Sequence, residues 1–155
     1  MLGMSALGVF IVLSLRILPV SFLSGGCHDP DLSGLTDKVI GAAIEVHRHL
    51  GPGLLESVYE TCLEYELQQL SLVVERQKPL CVVYKGLVLP QAYSMDLVVE
   101  NAVIVEIKAV EELNDVHAAQ ILSYLKFNHC RVGLLMNFNV KLLKDGLRRF
   151  VMKMA

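Results

Sequence analysis

The stretch Ser94-Met95-Asp96-Leu97-Val98-Val99-Glu100-Asn101-Ala102-Val103-Ile104-Val105-Glu106-Ile107-Lys108 (residues 94–108) decides the fold. Two Val- and Leu-rich runs, Ser94–Val99 and Val103–Lys108, flank Glu100-Asn101, a pattern that predicts a β-hairpin. Charges are rarely placed inside apolar strands without a partner, yet Asp96, Glu106 and Lys108 stand in these two. Residues two apart on a strand share a face, so Glu106 and Lys108 project together, away from Val105 and Ile107. Asp96 joins them if opposed residues sum to an even number, as 96 with 106, which needs a three-residue loop such as Glu100-Asn101-Ala102, or a bulge. A two-residue loop would turn Asp96 to the other face. An ion pair of Lys108 with either carboxylate accounts for the charges without any chemistry. Two carboxylates converging beside a lysine, however, suit Mg2+, which takes one or two carboxylates and keeps waters and phosphate oxygens elsewhere.

Working outward, Leu72–Arg76, Leu80–Tyr84 and Leu87–Leu89 read as further short strands, punctuated by Lys85-Gly86 and Pro90. Thr36 is the expected N-cap of a first amphipathic helix carrying Val39, Ile40, Ala43, Ile44 and His47, broken by Gly51-Pro52-Gly53. A second helix is expected from Leu54 to Leu70, with Leu55, Val58, Cys62 and Leu63 on its apolar stripe and Glu60, Glu64, Gln68 and Gln69 mostly facing solvent. Downstream, Asn114 or Asp115 caps a third helix to about Phe127, followed by strands at Arg131–Met136 and Gly146–Met152. The expected architecture is α/β, a mixed β-sheet flanked by helices.

A chain of 155 residues with a net charge of −2 has room for one ordinary domain and no overall basic field to draw in a polyanion. Any nucleic-acid contact then needs a local patch or metal ions. Cys27, Cys62, Cys81 and Cys130 show no C-x-x-C pair, and a reduced interior is the simplest reading. Composition changes abruptly near residue 34. Residues 2–23 are almost wholly apolar, long enough to span a membrane, but Arg16 would cost about 2.5–3.5 kcal/mol at mid-bilayer. The expectation is a misassigned start and a cytoplasmic domain over residues 35–152. A signal or a membrane anchor is the alternative for residues 1–34. His47 and His49, two apart, point in different directions on a helix and make poor joint ligands. Lys141, Lys144, Arg148, Arg149 and Lys153 form a basic tail read first as solvated charge.

The order Asp96, then Glu106-Ile107-Lys108, resembles the D-x(n)-E-x-K signature of the PD-(D/E)XK nuclease superfamily. Gly53-Leu54-Leu55-Glu56-Ser57-Val58-Tyr59 resembles the motif of the small bacterial GxxExxY proteins, a branch of that superfamily. Glu45–Gly53, Tyr84-Lys85-Gly86, Gln120 with Tyr124, and Gly133–Phe138 extend the likeness over nearly all of residues 35–152. The resemblance implies a restriction-endonuclease-like core and an Mg2+-dependent nuclease, with Mn2+ as a substitute ion and DNA or RNA as substrate. It implies Asp96 and Glu106 as metal ligands, Lys108 as the catalytic lysine and Glu56 as a first-helix acid. Gln120 and Tyr124, four apart on one helix face, resemble the Q-x-x-x-Y helix of helicase-associated nucleases, which positions nucleic acid; His117 falls on the same stripe. Tyr59 is read as a packing residue.

The chain departs from its relatives in having Ser94-Met95 where many carry an arginine before the aspartate, and in lacking a glycine near Leu70-Ser71. Those departures keep a second reading open, a non-catalytic nucleic-acid-binding or protein-interaction module on the same fold.

Overall fold

A computed structural model describes residues 32–152; the apolar run at 2–23, Cys27 and Lys153 lie outside the described residues. The elements run α1 (Leu32–Leu50), α2 (Glu56–Gln69), β1 (Val74–Tyr84), β2 (Leu87–Val99), β3 (Val103–Lys108), α3 (Asp115–Asn128), β4 (Val132–Asn137) and β5 (Leu147–Val151). The strands form a single five-stranded sheet in the order β1-β2-β3-β4-β5. The β3–β4 pair is parallel and the other three are antiparallel, so the sheet is mixed. The parallel pair is joined through α3, the crossover that parallel neighbours require.

Alternation in β3 fixes which layer covers which face. Val103, Val105 and Ile107 pack with Leu97, Val99, Leu134 and Met136 against Val39, Ala43 and Val46 of α1 and Tyr59, Leu63 and Leu67 of α2. Ile104 faces the opposite side, with Val98, Met95 and Leu80 against Tyr124 and Leu125 of α3. Gly133 lets α3 sit down on β4, since a Cβ there would lie 2.8 Å from Ile121 Cδ1. The result is the expected α/β sandwich, with α1 and α2 below the sheet and α3 above.

Several local expectations are corrected. Thr36 does not cap α1; the helix begins at Leu32, and the Thr36 hydroxyl donates back to the Leu32 carbonyl inside it. Leu32 and Leu35 pack against the core, which gives the extra turn its stabilisation. The buried stripe of α2 is Tyr59, Glu60, Leu63 and Leu67, so Leu55 and Val58 are exposed and Glu60 is buried. The short strands read between Leu72 and Val99 merge into two long ones, with Lys85-Gly86 as the turn, both at positive φ. Pro79 and Pro90 survive within them, and the register shifts between Leu80 and Val82. Ser71 closes α2 in the left-handed conformation (φ 59°).

Cys62 and Cys81 are free thiols. Cys130 is buried. Among the described residues no helix is long and apolar enough to cross a membrane.

Candidate active site

The β2–β3 ladder pairs Val99 with Val103, Val98 with Ile104 and Leu97 with Val105, which leaves Glu100-Asn101-Ala102 as the loop. Glu100 and Asn101 take positive φ (51° and 49°), the backbone that a tight reversal needs. Continuing that register sets Asp96 opposite Glu106. The ladder ends there, and the Asp96 side chain takes over: its Oδ2 accepts from Ile107 N–H at 2.8 Å.

Glu106 is 2% exposed, and its Oε1 accepts from Lys108 Nζ at 2.7 Å. Its second oxygen, Oε2, is buried and accepts no hydrogen bond. An ionised carboxylate oxygen out of water without a donor costs free energy, so the carboxyl holds its proton more tightly. Burial first, and then the Asp96 charge, push Glu106 up to about 7 against the pull of Lys108. Asp96 is also raised, chiefly by burial, with the Ile107 N–H and Lys108 opposing. Burial lowers Lys108, but the hydrogen bond it donates to Glu106 and the charges of Glu106, Asp96 and Glu56 outweigh it and hold the ammonium protonated.

Glu56 opens α2 and reaches the end of β3, where its Oε1 accepts from Ala109 N–H at 2.9 Å. The G-x-x-E-x-x-Y segment thus works as a clamp. Gly53 takes φ 100°, a region that an L side chain rarely adopts. Tyr59 stacks on Phe138 at 4.5 Å, donates to Gly51 carbonyl at 2.7 Å and accepts from Leu54 N–H at 3.1 Å. Tyr59 therefore secures the turn between α1 and α2, and Glu56 fixes α2 to the strand that carries Glu106 and Lys108. His47 is likewise structural, 2.9 Å from Val140 carbonyl and against Phe138.

On the other face, Gln120 donates to the Tyr124 hydroxyl at 2.6 Å. Tyr124 is buried, and its hydroxyl is raised, chiefly by burial; Glu106, Lys108 and Asp96 also act on it. The Gln120–Tyr124 pair therefore stands close to the carboxylates. A cleft of about 320 Å³ is lined by Tyr93, Gln120, Ser123 and Tyr124 among others. His117 does not join that pair; its Nδ1 accepts from Asn114 N–H in a capping box, while Asn114 accepts from Val116 and His117. The Val116 and His117 amides at the start of α3 are occupied in this way.

Two residues that sequence reasoning left out border the site. Glu60, 5% exposed, accepts from Arg76 Nε and Gln77 Nε2, both at 2.8 Å. Gln77 also donates to Asp96 Oδ1 at 3.3 Å. The available signal was the i, i+4 spacing of Glu56 and Glu60, which sets both acids toward one side of α2.

Among the described residues no three His, Cys, Asp or Glu side chains gather closely enough to cage a metal by themselves. The donor set is two adjacent carboxylates with one unsatisfied buried oxygen, which fits a hard divalent cation that keeps most of its water.

No curated protein and no solved structure matches the chain. A family profile described as the PD-(D/E)XK nuclease superfamily matches residues 33–150, from the start of α1 to the end of β5. By that match, and with the mixed sheet and its flanking helices as their fold, residues 33–150 belong to the PD-(D/E)XK nuclease superfamily.

Proposed function

We propose that this protein is a divalent-metal-dependent nuclease that hydrolyses phosphodiester bonds in DNA or RNA, of the GxxExxY branch, with Asp96 and Glu106 as metal ligands and Lys108 as the catalytic lysine. The observation that carries the reading is the buried, unsatisfied Oε2 of Glu106 beside Asp96 and Lys108. A carboxylate oxygen left without a donor has its natural partner in a cation. Mg2+, or Mn2+ in its place, would supply positive charge at the scissile phosphate and a bound water of lowered pKa.

The side chains do the rest. Lys108, kept protonated by its acidic surroundings, presents Nζ as fixed positive charge for the phosphorane-like transition state. Water adds to phosphorus, the P–O bond to the leaving oxygen breaks, and that oxygen takes up a proton. Glu56 acts through the Ala109 amide, holding the end of β3 so that Lys108 stays over the carboxylates. Gln120 would contact the substrate backbone, with Tyr124 as the support that sets its amide.

Net charge gives one specific reason for a second reading, since a chain at −2 without a basic field could keep the fold as a binding or interaction module. Incubation of the purified protein with labelled single- and double-stranded DNA and RNA, in Mg2+, Mn2+ or EDTA, separates the two. Metal-dependent cleavage that disappears in folded Lys108→Ala and Asp96→Ala is expected. Absence of both cleavage and metal binding selects the module.

A further inference from the structure

β1 and β2 change face together at one point. Leu97 packs toward α1 and α2, yet Met95, two residues earlier, packs toward α3. Arg76 reaches α2 through Glu60, whereas Leu80 packs toward α3. A regular strand would hold residues of one parity on one face. The break falls at Gln77, between the paired positions Arg76–Leu97 and Lys78–Met95 and so opposite Asp96. Gln77 has φ 49°, a left-handed conformation that costs an L residue energy.

That backbone delivers the Gln77 amide to two acids. Its Nε2 lies 2.8 Å from Glu60 Oε1 and 3.3 Å from Asp96 Oδ1. Ionised carboxylates only accept, so the nitrogen must face them, and its two hydrogens serve one acid each. Glu60 is anchored in turn: it is buried, Arg76 Nε donates to the same Oε1 at 2.8 Å, and Arg76 continues to Glu64 at 3.7 Å. With Ile107 N–H on Oδ2, Asp96 has a donor on each oxygen, which fixes the plane of its carboxylate.

We infer that Gln77 is the positioning residue of the site: anchored on Glu60 and Arg76, it sets the orientation in which Asp96 meets a divalent cation. This rests on the metal-site reading above. Partners that orient a ligand ordinarily contribute about 10–100-fold to metal affinity.

The strained backbone makes a test that separates positioning from stability. In the full chain, Gln77→Gly removes the amide and relieves the left-handed φ, whereas Gln77→Met removes the amide and keeps the strain. Thermal melting and Mn2+ binding, followed by the EPR signal of free Mn2+, are measured on both. The expected result is a melting temperature at or above wild type for Gln77→Gly and lower for Gln77→Met, with Mn2+ affinity reduced about 10–100-fold in both. Affinity that follows stability, unchanged in Gln77→Gly and weakened in Gln77→Met, overturns the inference and leaves the metal site standing. A wild-type chain that takes up no Mn2+ overturns the metal-site reading, and this inference with it.

Discussion

Asp96 and Glu106 stand opposite each other across the β2–β3 hairpin because its loop has three residues and not two, and the Asp96 carboxylate bonds the Ile107 amide where the ladder stops. One residue fewer in the loop would send Asp96 to the α1–α2 face. The acids would then lie on opposite sides of a packed sheet.

Burial of Glu106 sets a pH dependence. Its carboxyl titrates near pH 7 in the folded chain and near 4.5 when exposed. Below the lower value both states hold the proton and nothing is lost. As pH rises from 4.5 to 7 the unfolded chain releases its proton more readily, and the metal-free fold loses stability, with no further change above that window. Asp96, raised as well, acts in the same direction. Metal-free protein should melt higher at pH 5 than at pH 8, and Glu106→Gln should flatten the difference. A thermal melt series across that range measures both.

The same proton competes with the cation. Mn2+ affinity should rise by up to about tenfold per pH unit below 7 and level off above it, with close to one proton released per ion bound well below pH 7 and about half a proton at pH 7. Titration calorimetry in two buffers of different ionisation enthalpy counts that proton.

Ser71 closes α2 at φ 59°. Glycine adopts that conformation without the Cβ clash, although it also gives the unfolded chain more freedom. Ser71→Gly should stabilise the fold by up to about 1 kcal/mol, read as a shift of the urea midpoint, and should leave metal affinity unchanged.

Close approach of α3 to β4 depends on a missing side chain. In Gly133→Ala the new Cβ would meet Ile121 Cδ1 at 2.8 Å and Leu125 Cδ1 at 3.3 Å. Overpacking there should cost about 1–3 kcal/mol. At Gly146 the obstacle is the Asn137 carbonyl, backbone that cannot swing aside, so Gly146→Ala should cost more. Denaturant melts of the two variants rank them.

Tyr59→Phe keeps the stack on Phe138 and loses the hydroxyl that joins Gly51 and Leu54. Two backbone groups of the α1–α2 turn then lose their partner to solvent, and a loss of about 0.5–1.5 kcal/mol is expected. The same melts check it.

Strand alternation and turn chemistry made β3, the β2–β3 hairpin, the Lys85-Gly86 turn and the Asn114 cap legible in the sequence. Each depends on residues within a few positions of one another. What escaped depends on contacts made at long range. Glu60 looks like a solvated helix acid until Arg76 and Gln77, 16 and 17 residues on, turn toward it. The face change at Gln77 has no local signal, because glutamine is not a residue that marks a left-handed position. Asp96, Glu106 and Lys108 stood out for the opposite reason: charge inside an apolar run is visible without knowing what surrounds it.

The most direct measurement is the binding of Mn2+ to the wild-type chain, Asp96→Asn and Glu106→Gln, by EPR of the free ion at pH 8. One site per chain in wild type, lost in both variants while each keeps a cooperative melt, is the result expected for two carboxylates that share a cation. Binding in either variant equal to wild type, or none in wild type, would contradict the account.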